Sequence, residues 1–321
     1  LSSSSAASDV YKRQHYDWHA NKVKRVFGSA GEGPGQYTDI TALAVSEDFK
    51  IAVADSGNKK LDVYQLPAKK TTQEAPAPYA SIRFKGLKSL PCSNAYELNS
   101  GQLLCLDKKK DIVSVLDASG KPTSVLGGKI KNPIQASFDD QQIAILGSKG
   151  VYVFSTAGAG LTQFGASGKN DGELKGATDI FLSGKRIYVA ESGQPRVQFF
   201  TQKGVFLGKL PRPGDDPHLL MEPAAVAVNS QGEIFVADNE KKKIVVFSAN
   251  NQFMYEIGAA LESPEAFTEF MDLAVDVDDN LYVLAGTNDN RQSVHIYKGK
   301  QRLFRFANYS TKEQSALQNA K

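Results

Sequence analysis

Short apolar runs recur along this chain, each closed by an acidic or small residue, then a polar break, then a second apolar run. "IFVADNEKKKIVVF" (234–247) shows the plan, and "IAVADSGNKKLDVY" (51–64), "LLCLDKKKDIVSVL" (103–116) and "RIYVAESGQPRVQFF" (186–200) repeat it. With the end of the "VAD" run as a marker, the copies fall at Asp55, Asp107, Gly147, Glu191, Asp238 and Ala285, at intervals of 52, 40, 44, 47 and 47 residues. A period of about 40–50 residues made of short strands is the spacing of β-propeller blades. Each copy divides into four strands bounded by turn residues. In the fifth these are 224–229, 233–238, 243–248 and 253–258; in the sixth, 270–276, 280–286, 293–298 and 302–307. "LNSGQ" (98–102), "NSQGE" (229–233) and "DVDDN" (276–280) join first to second strands, with Gly, Asn and Asp where positive φ is expected. First strands carry small residues (Ala42, Ala44, Ala225, Ala227, Ala274), as suits strands crowding one axis. No amphipathic helical stretch long enough for a crossover separates the strands, so a parallel α/β fold is excluded. The pattern predicts an all-β, six-bladed β-propeller of four-stranded antiparallel blades.

Composition changes this picture little. The chain has 321 residues, 41% hydrophobic and 23% charged, and no apolar run approaches the ~18 residues of a membrane span. A net charge of +3 is too mild to announce a polyanion partner. Cys92 and Cys105 are too few for a disulfide framework or thiolate metal cluster, and are expected as two buried free thiols. Residues 1–14, "LSSSSAASDVYKRQ", resemble a translated sequencing adapter and are set aside as a non-native leader, as on a fragment from a metagenomic assembly. The propeller is assigned to 15–308 and a polar tail or linker to 309–321. Strand-like "KVKRVFG" (22–28) has no blade of its own and competes with "RLFRFA" (302–307) to close the last blade.

The same residues resemble the NHL-repeat family, whose hallmark is an apolar strand ending in V-A-D, a Gly/Asn turn and a basic residue before the next strand. "VADSGNKKLDVY" (53–64), "VAESGQPRVQFF" (189–200) and "VADNEKKKIVVF" (236–247) carry it, with the glycine-rich linkers "VFGSAGEGPGQY" (26–37) and "QFGASGKNDGEL" (163–174). The resemblance spans roughly 22–307. It implies a six-bladed propeller, an extracytoplasmic setting, and ligand sites on the face where strand 2–3 turns meet the inter-blade linkers.

On that face the strand 2–3 turns sum to +4 and the linkers to −3, which does not support a uniformly basic surface for nucleic acid. The charge is instead divided. Lys88, Lys108, Lys109, Lys110, Lys129, Lys131 and Lys149 lie in blades two and three, whereas Glu262, Glu265 and Glu269 lead into blade six. These ten residues are the candidate binding set, and the division suits an oriented protein or peptide partner. Within each turn, Lys60, Arg196 or Lys243 can pair with Asp55, Glu191 or Asp238 across the hairpin. Such exposed pairs are worth only about 0–1 kcal/mol.

Catalytic signatures are sparse. Some NHL propellers are peptide-amidating lyases with a histidine-held metal, but His15, His19, His218 and His295 do not come from converging inner strands. "HYDWH" (15–19) reads as a terminal segment. Propeller lactonases hold a divalent cation with oxygen ligands at the channel mouth. Aligned first strands place Asp179 and Asp272 where other blades have Ala42, Ala95 and Ala225, with Gln135 equivalent in blade three. These three are the candidate metal set for Ca²⁺ or a similar ion, the alternative to a chain with no cofactor. The acids near 276–279 lack the Gly and distal Glu of an EF-hand loop, and no G-x-S-x-G or Walker loop is present. The glycine-rich "GSAGEGPG" (28–35) opens a strand, so phosphate cradling is not expected. The leading expectation is therefore a non-enzymatic scaffold for a protein or peptide. A lactonase-type hydrolase and an RNA-binding propeller are the alternatives.

Overall fold

Alternating apolar positions become six four-stranded antiparallel sheets in the computed structural model. It describes residues 29–33, 36–38, 40–45, 50–55, 57–58, 60–65, 80–83, 92, 94–97, 102–117, 121–212, 214–216, 219–258, 263, 266–276, 278–288, 291–298 and 301–307. The leader, the candidate strand 22–28 and the tail 309–321 lie outside these. Blade 1 runs Ile40–Val45, Lys50–Asp55, Lys60–Gln65, Ala80–Arg83, and blade 2 Asn94–Glu97, Leu103–Asp107, Ile112–Leu116, Pro122–Lys129. Blade 3 runs Pro133–Phe138, Gln142–Gly147, Gly150–Ser155, Gly160–Phe164, and blade 4 Ala177–Ser183, Arg186–Glu191, Arg196–Thr201, Phe206–Leu210. Blade 5 runs Pro223–Val228, Ile234–Asp238, Lys243–Phe247, Phe253–Ile257, and blade 6 Phe267–Val275, Leu281–Thr287, Arg291–Lys298, Gln301–Ala307. Each is a simple meander. Gln301–Ala307 pairs with Arg291–Lys298, so 302–307 fills the outer slot of blade 6.

The inner strands of blades 3, 4, 5, 6, 1 and 2 lie successively against one another, and the second strand of blade 2 reaches the inner strand of blade 3. The ring therefore closes. Its core lies between neighbouring blades: Tyr188, Val197 and Leu210 of blade 4 pack on Val226, Val236 and Val245 of blade 5. Phe235, Ile244 and Val246 of blade 5 pack on Phe267, Phe270 and Val283 of blade 6. Each such side chain, fully buried, is worth about 1.5–3 kcal/mol. Gly232 (φ 77°) and Asp279 (φ 61°) hold corresponding places in the turns 229–233 and 276–280, the left-handed conformation expected there.

The marker carboxylates act as staples. Asp55, Glu191 and Asp238 are fully buried. Asp238 accepts the backbone N–H groups of Met221, Glu222 and Lys241, tying its own turn to the preceding linker. Asp55 does the same for Thr38 and Asn58. Glu191 accepts the Lys175 N–H at 2.7 Å and pairs with Arg196 at 2.8 Å. The register sets Asp55 opposite Lys60, Glu191 opposite Arg196 and Asp238 opposite Lys243. Of the three expected hairpin pairs, Glu191–Arg196 forms, but as a buried pair and not an exposed one. Lys60 is fully buried against Asp62 and donates to the Gly33 carbonyl, and Lys243 donates to the Gly258 carbonyl.

The two cysteines are not free thiols. Cys92, ahead of the inner strand of blade 2, is bonded to Cys105 in its second strand, with Cα atoms 5.0 Å apart. Ala95 is the cross-strand partner of Cys105, so hairpin pairing brings the sulfurs within reach.

Reduction is expected to lower stability by about 3 kcal/mol, the loop-closure contribution of a short loop. Urea midpoints with and without reductant check this. Glu191→Ala strands the buried Arg196 and should cost about 3–5 kcal/mol, whereas Lys110→Ala, removing an exposed partner of Asp107, should cost about 0–1 kcal/mol. Urea titration of both variants distinguishes staple from surface pair.

Candidate functional site

Six inner strands run along one axis, and alternate residues of each share a face. The register fixes which residues stand level. Ala42, Asn94, Gln135, Asp179, Ala225 and Asp272 each pair with the residue just before their blade's marker. In blade 2 the level residue is thus Asn94, not Ala95. A one-residue slip moves a side chain to the other face. The slip traces to turn length: five residues separate the last paired positions in blades 1, 2, 5 and 6, but four in blade 3 and two in blade 4. In blades 1, 3, 4, 5 and 6 a register shift immediately precedes the level residue. Such bulges re-aim the following side chain.

Gln135, Asp179 and Asp272, the candidate metal set, are brought together by this geometry. Gln135 Nε2 donates to Asp272 Oδ1 at 3.1 Å, joining diametrically opposed blades across the axis. Gln135 Oε1 accepts from Asn94 Nδ2 at 2.5 Å and from the Tyr96 hydroxyl. Asn94 also donates to the Ile134 carbonyl. Asp179 accepts the N–H of Ile180 at 2.8 Å and, from blade 5, that of Val226 at 2.7 Å. Asp272 accepts the N–H of Leu273 in the same way as Asp179 accepts that of Ile180. The layer is a polar plug, and Asn94 and Tyr96 are members that residue spacing did not single out.

Burial pushes the Asp179 carboxyl up to about 7 against the lowering influence of its backbone donors and Gln135. Burial likewise raises the Tyr96 hydroxyl well above its ordinary value, helped by the negative charges of Asp272 and Asp179. Beside the plug is a cavity of about 270 Å³, lined by Tyr96, Gln135, Phe181 and the four carboxylates Asp139, Asp179, Asp272 and Asp276. Its lining continues from the plug to Asp139, Gly184, Ser230 and Asp276, at the strand 1–2 turns. Asp179 and Asp272 therefore form the floor of a funnel open at that end.

The donor set bears on metal binding. Gln135 turns its nitrogen to Asp272 and spends its oxygen on Asn94 and Tyr96, so it presents no amide oxygen to a cation. Among the described residues no three His, Cys, Asp or Glu side chains form a metal-holding group. His295 is fully buried in the third strand of blade 6, edge-on to Phe267 and stacked on Tyr297. His15, His19 and His218 lie outside the described residues.

The linker face carries the lysine set. Lys108–Lys110 occupy the strand 2–3 turn of blade 2, Lys149 that of blade 3, and Lys129 and Lys131 the connection between them; all six are exposed. Asp111 draws them together: its carboxylate accepts the Asn132 N–H and the Lys131 ammonium, each at 2.8 Å, and its carbonyl accepts the Ile130 N–H. The Lys131 carbonyl accepts the Ser148 N–H, joining the blade 3 turn. Lys131 accordingly holds the Asp111 carboxyl below its usual range. Asp107 Oδ1 accepts the N–H groups of Lys109 and Lys110. Glu269 is exposed on the inner strand of blade 6, across the ring. Lys88, Glu262 and Glu265 lie outside the described residues.

Comparison with known proteins agrees with the ring. The family described as DUF5128, 6-bladed beta-propeller, matches residues 169–319. Protein brain tumor of Drosophila melanogaster is 24% identical over 142 residues, 42% of this chain and 13% of that protein. The chain thus spans a small part of the curated relative it matches. A streptogramin B lyase structure superposes with a TM-score of 0.57 at 11% identity, covering 89% of this chain and 87% of the other. Virginiamycin B lyase from Staphylococcus aureus gives 0.55 at 11% identity, covering 85% of each. Kluyveromyces lactis Hsv2 gives 0.51 at 11% identity, covering 81% and 73%. At these identities the likeness is one of fold.

A buried carboxyl raised from 3.8 to about 7 holds its proton more tightly folded than unfolded. Its neutral form is fully favourable below pH ~4, and stability is lost as pH rises to about 7, by up to about 4 kcal/mol. Urea midpoints between pH 4 and 8 should show this fall, and Asp179→Asn should flatten it.

Proposed function

We propose that this NHL-like six-bladed propeller is a binding scaffold that receives an acidic segment of a protein or peptide partner on the linker face, over blades 2 and 3. The observation that carries the reading is the Asp111 clamp. It holds Lys108–Lys110, Lys129, Lys131 and Lys149 as one patch while neutralising chiefly Lys131. Staples at Asp107 and Asp111 fix the backbone of the turns, so the lysines arrive pre-positioned and less ordering entropy is lost on docking. Glu269 across the ring offers a contact of opposite sign, which orients a partner bearing both charges.

An RNA ligand is the second reading, favoured by the same lysines. Single strands are generally held by stacking on aromatic side chains as well as by charge. Phe253 is exposed, but on the outer strand of blade 5 and away from the patch. The protein partner is therefore preferred. A lyase reading draws on the structural neighbours, one of which is a catalytically inactive histidine-to-alanine variant of virginiamycin B lyase. Here His295 is buried on a third strand, which does not favour that chemistry. A lactonase-type site would use Asp179 and Asp272, whose oxygens already accept backbone N–H groups.

Fluorescence polarisation with a glutamate-rich peptide and a single-stranded oligouridine tests the choice. The peptide should bind in a salt-dependent way, and the triple variant Lys109→Glu, Lys129→Glu, Lys149→Glu should weaken it at least tenfold, a loss of about 1.4 kcal/mol or more. Preferential binding of the RNA would replace the reading with the second one, and binding of neither would end both.

A further inference from the structure

The funnel at the other end of the axis is a second site of different chemistry. The cross-axis bond from Gln135 to Asp272 and the Asn94–Tyr96 contacts close its floor, so access is from the strand 1–2 turns. This is the face opposite the lysine patch. Among the described residues lining it there are four aspartates and no lysine, arginine or histidine. The rim is built and not loose: Ser230 of the blade 5 turn is bonded through its N–H and hydroxyl to Asp279 of the blade 6 turn, each at 2.7 Å. Asp276 is committed to that rim, its two oxygens receiving Asp278, Asn280 and the Tyr282 hydroxyl. Asp139 is not so committed. Its Oδ1 accepts the N–H groups of Gln141 and Gln142, both at 2.8 Å, while its Oδ2 has no hydrogen bond among the described residues.

We propose that this blind funnel binds a small organic dication, a short alkyl chain with an ammonium or guanidinium group at each end, one end received by Asp139 at the rim and the other by Asp179 at the floor. Each Asp179 oxygen takes one backbone N–H and Gln135 is a further donor, which leaves one oxygen room for a second hydrogen bond. The half-buried Phe181 ring lines the wall between the two, where a cation over an aromatic face is attracted and an alkyl stem is shielded from water. A charged group in such a cleft, with no counter-cation on its walls, is drawn in by the field of several carboxylates at once. A bare divalent ion fits less well. Calcium takes six to eight oxygens in an open shell, and here the amide oxygen of Gln135 is turned away. An ammonium, with three donors, makes a smaller demand at either end of the funnel.

Isothermal titration calorimetry with putrescine and agmatine tests this, with the neutral diol of putrescine's chain length and CaCl₂ as comparisons. Putrescine and agmatine should bind and compete, and the diol should not. Asp139→Asn leaves the turn acceptor in place and should weaken putrescine about tenfold, the effect of one hydrogen bond to a charged group. Asp179→Asn, checked for folding by circular dichroism, should weaken it at least as much. The triple lysine variant of the opposite face should leave it unchanged, so failure here and failure of peptide docking are distinguishable. Absence of saturable amine binding, equal binding of the diol, or a calcium affinity that falls with Asp139→Asn while amines do not bind would each overturn the proposal.

Discussion

A ring of radial sheets leaves one edge of every sheet at its centre, and that edge is what the rest of the structure must accommodate. The inner strand bonds to its own sheet on one side only; its other N–H and C=O groups face the axis. A barrel removes its edges by closing. A propeller must satisfy them with side chains or water. Asp179 shows how: one carboxylate accepts its own successor's N–H and that of Val226 in the next blade. Two sheets that share no ladder are thereby tied at the axis. The cost appears as a carboxyl buried deeply enough to be raised to about 7.

Seen this way, the polar residues on the inner strands and those on the second strands solve the same problem at two radii. Asp179 and Asp272 satisfy inner edges, while Asp55, Glu191 and Asp238 satisfy the linkers that carry the chain from one blade to the next. Buried acids of the second kind have donors all around them: Glu191 has Arg196, Gln198 and the Lys175 N–H. Those of the first kind have donors from two blades: Asp179 takes the N–H groups of Ile180 and Val226, and Asp272 the Leu273 N–H and the Gln135 amide.

How much of this was legible follows from range. The blade count, the strands of blades 5 and 6 and the turns 229–233 and 276–280 rest on local periodicity and turn chemistry, and they appear where the pattern put them. Asn94 was missed because counting back from Asp107 cannot reveal that the preceding turn is one residue longer than in blade 3. Bulges before Gln135, Asp179 and Asp272 leave no mark in composition. The bond between Cys92 and Cys105 depends on a hairpin register that two isolated cysteines do not disclose. Which way the funnel opens was equally hidden, since the empty space beside a residue is not readable from spacing.

The plug gives the molecule its polarity. Were the axis an open pore, the lysines of one face and the aspartates of the other would share a continuous water column. Gln135 and Asp272 interrupt that column at one layer, and Tyr96 fills beside them. A low-dielectric stopper with partnered polar groups separates two solvent-filled ends, each of which keeps its own sign. Screening by salt acts within about 8 Å at physiological ionic strength. The two faces can therefore be tuned independently, the positive one by turn lysines anchored on Asp111 and the negative one by acceptors at Asp139 and Asp179. A substitution that opened the plug, such as Gln135→Ala, would remove that separation while leaving the lysine face intact, because among the described residues no hydrogen bond of the lysine turns runs through Gln135.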